Sequence, residues 1–144
     1  MKNPDILVAL KTFVSILEEN NIPYYIGGSI ASSIYGIARA TMDIDIVAYI
    51  KLKHISILKE NLQEDYYIDD EMIREAIINK SSFNLIHLDT AIKIDVFIYK
   101  DNAYQQNVFQ RKVQDVLEED VSDKKFYFSS PEDIIINKLL WYEL

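Results

Sequence analysis

The chain of 144 residues contains no cysteine, which excludes disulfide frameworks, thiolate zinc sites and cysteine nucleophiles together and fits a reducing compartment. Glycine is nearly as scarce: only Gly27, Gly28 and Gly36 occur, so the backbone freedom that glycine confers is concentrated in one short stretch. Basic residues fall short of acidic ones, 15 against 23, leaving a formal net charge of −8. General nucleic-acid binders neutralise phosphates with a lysine and arginine excess, so that class is disfavoured, although a small basic patch for RNA or DNA stays compatible. Histidine is limited to His54 and His87, and neither a Ser-His-Asp order nor a His-Glu-x-x-His spacing exists. The first residues, Met1-Lys2-Asn3-Pro4-Asp5, show no charged-then-apolar leader, and no apolar run reaches membrane-spanning length. The expectation is a cytoplasmic protein with no membrane association.

What is present is an ordinary globular composition, 49% apolar and 26% charged, in a chain long enough to bury a core without staples. One domain over residues 1–144 is the simplest organisation, with no internal repeat or linker. Apolar residues Ile6, Leu7, Leu10, Phe13, Val14 and Leu17 recur at helical spacing from Pro4 to the Asn20-Asn21-Ile22-Pro23 break. A strand over Tyr24 to Ile26 then feeds the turn Gly27-Gly28-Ser29, and Ile30 to Tyr35 reads as a short helix. Strand patterns follow at Ile44–Ile50, Phe83–Leu88, Ile92–Tyr99, Val113–Leu117 and Phe126–Phe128, the second and third forming a hairpin around Asp89-Thr90-Ala91. Helical patterns cover Lys53–Leu62, Asp70–Lys80 and Asn102–Arg111. Ser130-Pro131-Glu132-Asp133 combines a serine cap, a first-turn proline and two acids, and starts a final helix. The fold class is therefore α+β, a small mixed sheet flanked by helices.

Strand alternation separates the chemistry. Asp43 and Asp45 point to one face and Ile44 and Ile46 to the other, while Lys93, Asp95 and Phe97 share a face opposite Ile94, Val96 and Ile98. A half-buried carboxylate is costly unless it is paired, hydrogen-bonded or bound to a metal. Three of them on strands rich in isoleucine and valine ask for a hard divalent cation, Mg2+ or Mn2+. A glycine-serine turn entering a helix can hold phosphate on backbone N–H groups. An isolated Asp-x-Asp is more often a solvated strand end, and an aspartate within a strand, such as Asp95, can guard an edge strand against aggregation; the glycine turn before and Asp95 after favour a metal site.

Gly27-Gly28-Ser29, then Asp43-Ile44-Asp45 on a strand, then Ile94-Asp95-Val96 on a later strand, resembles the DNA polymerase β-like nucleotidyltransferase superfamily in order, spacing and strand context. The small bacterial members, including relatives of abortive-infection toxins and of antibiotic-modifying enzymes, are the most similar, which makes a toxin–antitoxin role a candidate. The resemblance implies the nucleotidyltransferase fold and a metal-dependent transfer of a nucleoside monophosphate from a nucleoside triphosphate to an acceptor. It implies that Asp43 and Asp45 bridge the metals, that Asp95 serves the nucleophile-side metal or acts as general base, and that Gly27, Gly28 and Ser29 hold the phosphates. Arg39 and Thr41 precede the paired aspartates as in those relatives. Lys138, in the helix after Ser130-Pro131-Glu132-Asp133, corresponds to a nucleotide-facing position. Those relatives continue this helix into a further segment where the chain ends at Leu144, so either a compact variant or a C-terminally truncated form is expected. The acceptor, a small molecule, a tRNA end or a protein side chain, is open. A non-catalytic nucleotide-binding or partner-binding module of the same fold is the alternative. An aspartate-nucleophile phosphatase is disfavoured, because its Asp-x-Asp normally follows a strand and this one begins one.

Overall fold

The computed structural model describes residues 4–27, 43–116, 125–130 and 132–133. Helix α1 spans Pro4–Glu19 and buries Ile6, Ala9, Leu10, Phe13, Val14 and Leu17. Leu7, expected in that stripe, lies at its half-buried flank, and Ala9 takes the central position. The helix ends where Asn21 adopts a left-handed conformation, with the Ile22 N–H donating to the Leu17 carbonyl at 2.9 Å. Strands β1 (Tyr24–Gly27) and β2 (Asp43–Ala48) follow, then a 3-10 turn over Leu52–His54 running into α2 (Ile55–Leu62). After β3 (Tyr66–Tyr67) come α3 (Asp70–Asn79), β4 (Ser82–His87), β5 (Lys93–Ile98), α4 (Ala103–Arg111), β6 (Val113–Val116) and β7 (Lys125–Phe128).

The seven strands form one mixed sheet in the order β3-β4-β5-β2-β1-β7-β6. β2 pairs parallel with β5 and β1 parallel with β7, and the other neighbours run antiparallel, including the expected β4–β5 hairpin. Asp95 therefore sits on an interior strand, which removes the edge-guard explanation for it. Helices α1, α2 and α3 pack together, and their apolar residues join Ile26, Ile44, Ile46, Leu85, Ile94 and Val96 in one core. That covers one face of the sheet and leaves the face bearing Asp43, Asp45 and Asp95 free of these helices.

Tyr66 and Tyr67 make a strand too short to show periodicity in the sequence. Tyr66 is buried against α1, its hydroxyl donating to the Ala9 carbonyl, and burial pushes that phenol up to about 12. Among the described residues no helix is long and apolar enough to cross a membrane.

With glycine so scarce, left-handed positions fall to other residues. Lys80 closes α3 at φ 54 and ψ 44, and the Ser81 N–H bonds the Ala76 carbonyl at 2.9 Å. A side chain disfavours this conformation, and the Lys80 side chain is exposed, so nothing offsets that cost. Lys80→Gly is expected to stabilise the protein by about 1 kcal/mol, read as a raised urea midpoint at unchanged m value.

Candidate active site

Strand register lays the open face out as three rows. In the first, Asp43 of β2 stands beside Lys93 of β5, followed by Ile86 of β4 and Tyr67 of β3. In the second, Gly27 of β1 neighbours Asp45, Asp45 neighbours Asp95, and Asp95 neighbours Asn84. The third runs Tyr25, Val47, Phe97 and Ser82. Adjacent strands are about 4.8 Å apart, so Asp45 and Asp95 share a side-chain layer although 50 residues separate them in sequence (95 − 45).

The electrostatics follow from that layout. Burial first, then the like charges of Asp95 and Asp43, raise the Asp45 carboxyl above the usual carboxylate range, and Lys93 partly counteracts them. Lys93 Nζ lies 3.7 Å from Asp95 Oδ1. Oxygen-only donors under mutual repulsion suit a hard divalent cation, and Asp43, Asp45 and Asp95 would hold it. Their side chains are not drawn round a common point: among the described residues no three acidic or imidazole groups are gathered closely enough to coordinate one ion.

Gly27 is a regular strand residue, not a left-handed one. Among the described residues, the nearest atom a Cβ there would meet is Tyr25 Cε1, at an ordinary 3.8 Å, so none of them crowds Gly27 beside Asp45. Gly28, Ser29, Arg39, Thr41 and Lys138 lie outside the described residues, as does the helix expected over 30–35.

One end of the open face, next to the Tyr25 row, is walled by rings. Tyr25 meets Phe109 of α4 edge-on, Phe109 meets Tyr99 edge-on, and Tyr99 stacks on Tyr49 with centroids 4.7 Å apart. The paired tyrosines divide between faces. Tyr24 points into the core, its hydroxyl accepting from the Tyr127 N–H, whereas Tyr67 is 55% exposed on the carboxylate face.

Neither histidine joins the carboxylates. His54 Nδ1 accepts from the Lys51 N–H, and buried His87 pairs its Nδ1 with Thr90 Oγ1 at 2.8 Å.

Sequence reasoning missed two features near the site. Lys93 was placed on the Asp95 face by alternation, yet its contact with Asp95 was not foreseen. Asp133, read only as an acid at a helix start, is 2% exposed and bonded by Arg111 Nε at 3.2 Å as well as by Arg111 Nη2. The Ser130 cap itself forms as expected: its Oγ accepts from the Asp133 N–H and donates to Asp133 Oδ2.

No family profile and no curated protein matches the sequence. Solved structures do resemble it. A protein of Thermotoga maritima assigned to the nucleotidyltransferases, TM1012, superposes with a TM-score of 0.66 at 16% identity, over 99% of this chain and 88% of its own. The antibiotic-resistance factor ANT(2'')-Ia gives 0.60 at 16% identity, over 99% of this chain and 74% of its own. The lincosamide antibiotic adenylyltransferase LnuA, bound to lincomycin, gives 0.51 at 16% identity, over 86% and 80%.

Proposed function

Starting from a chain that has the polymerase β-like nucleotidyltransferase fold, we propose that it transfers a nucleoside monophosphate from a nucleoside triphosphate to a hydroxyl-bearing acceptor, with Mg2+ or Mn2+ as cofactor. The observation that carries this reading is the second row of the open face, where Gly27, Asp45 and Asp95 stand side by side with Asp43 one pleat away. A divalent cation held there would neutralise triphosphate charge and lower the pKa of an attacking hydroxyl. Asp43 and Asp45 would orient the triphosphate, and Asp95 would take the proton of the acceptor hydroxyl as its oxygen bonds to the α-phosphorus and the α–β anhydride bond breaks to release pyrophosphate. The absence of a side chain at Gly27 lets phosphate come close to the sheet, and Gly28, Ser29, Arg39, Thr41 and Lys138 are assigned to the nucleotide by sequence position. The acceptor falls in the range spanned by the similar proteins, one of which is an antibiotic adenylyltransferase; the net charge of −8 argues against a long polynucleotide.

The test incubates the protein with Mg2+ or Mn2+, each labelled nucleoside triphosphate and a cell lysate as acceptor source, with Asp43→Asn as control. Label transfer that depends on both Asp43 and metal supports the reading. Absence of both nucleotide binding and transfer overturns it. Metal-dependent binding of an intact triphosphate without turnover favours instead a nucleotide-binding module, a reading to which the engagement of Asp95 by Lys93 lends weight.

A further inference from the structure

Lys93 could extend into solvent from the open face, but it leans one pleat along β5 so that its ammonium stands 3.7 Å from Asp95 Oδ1. Both side chains are partly withdrawn from water, at 39% and 22% exposure, which limits screening of the pair. Across the sheet Lys93 is the register neighbour of Asp43, so the residue stands beside one carboxylate while its ammonium reaches a second and lies in the field of the third.

A divalent ion bound by the same carboxylates would repel an ammonium this close, and the two would compete for Asp95. We propose that Lys93 is the resident counter-cation of the carboxylate cluster: it holds Asp95 when no metal is bound, is displaced from it when metal binds, and thereby sets how tightly the site takes metal. This rests on the metal-site reading above and adds a positioning residue to it. The ordinary alternative is a solubilising surface lysine with an incidental neighbour. That alternative gives Lys93 no influence on metal affinity beyond a weak, salt-screened one.

The test is a Mn2+ titration of the nucleotide-free full chain, followed by the paramagnetic resonance of free Mn2+, on wild type, Lys93→Met, Lys93→Gln and Lys93→Arg. Removing the positive charge is expected to tighten Mn2+ binding by about tenfold, the size of effect a close like charge has on an ionic equilibrium. Lys93→Met and Lys93→Gln should agree, and Lys93→Arg should stay within about twofold of wild type. In an Asp95→Asn background the tightening caused by Lys93→Met should shrink, so that the gain depends on Asp95, which a general field of the lysine over the site would not predict. Equal or weaker Mn2+ binding by both neutral variants, with wild type binding measurably, overturns the proposal while leaving the metal site standing. No Mn2+ binding by any of the proteins overturns both.

Discussion

Asp45→Asn is expected to reduce nucleotidyl transfer by about a thousandfold or more, because removing a carboxylate that carries metal and reacting phosphate removes stabilisation specific to the transition state. The same change should make the metal-free protein more stable, not less. Asp45 is half-buried and crowded by Asp95 and Asp43, and its carboxyl is raised for those reasons. A raised carboxyl means that the folded state holds its proton more tightly than the unfolded chain does. The ionised form is thus a destabilising element at neutral pH, fully present above the raised folded value and lost as pH falls below the unfolded one. The stability difference between Asp45→Asn and wild type should therefore be largest near neutrality and shrink as pH falls through the carboxylate range. Chemical denaturation at neutral and acidic pH, in chelator, measures it. A variant that is inactive and also less stable at neutral pH would indicate a structural role for Asp45.

Arg111→Met is expected to have the largest effect on stability, read as a clearly lowered urea midpoint, since it strands a carboxylate that is 2% exposed and whose other side-chain partner among the described residues is the Ser130 hydroxyl. The loss is smaller than for a fully buried pair because Arg111 itself is 45% exposed. Pairing the change with Asp133→Asn should recover most of the loss, for the penalty comes from the unpaired charge and not from the missing guanidinium. Urea unfolding of the two variants separates these contributions; equal losses in the single and the double variant would mean that Arg111 acts through packing. The pair ties the end of α4 to the Ser130 cap, 22 residues on (133 − 111).

Alternation was the most legible property of the sequence. The switch from Asp43 to Ile44 to Asp45 predicts which side chains meet the core, and β2 and β5 obey it along their whole length. The α1 stripe and the β4–β5 hairpin were readable because they rest on local spacing. What local spacing could not supply is who stands beside whom across strands distant in sequence. The Asp45–Asp95 neighbourhood depends on a parallel pairing set by the core and intervening helices. Tyr66–Tyr67 is too brief to carry a period, and its partner strand identifies it. Asp133 looked like a helix-start acid because its sequence neighbours fit a cap, while the arginine that buries it comes from another helix.

The shared alternation has a consequence for how alignment errors are corrected during folding. If β5 slipped by one residue against β2, Ile94 would turn to the open face and Asp95 would enter the core, so the cost of burying a charge rejects that mispairing outright. A slip of two residues would escape this check, since it keeps every side chain on its proper face while moving Asp95 beside Asp43 or Val47. The β4–β5 connection opposes that second error: the Ala91 N–H returns to the His87 carbonyl and Thr90 Oγ1 accepts from the Ile92 N–H, fixing where β5 begins. Beyond its far end, the Tyr99 N–H bonds the Ala48 carbonyl. Hydrophobic sorting decides odd from even and the hairpin decides which even, so the aspartates are brought level by contacts that none of them makes.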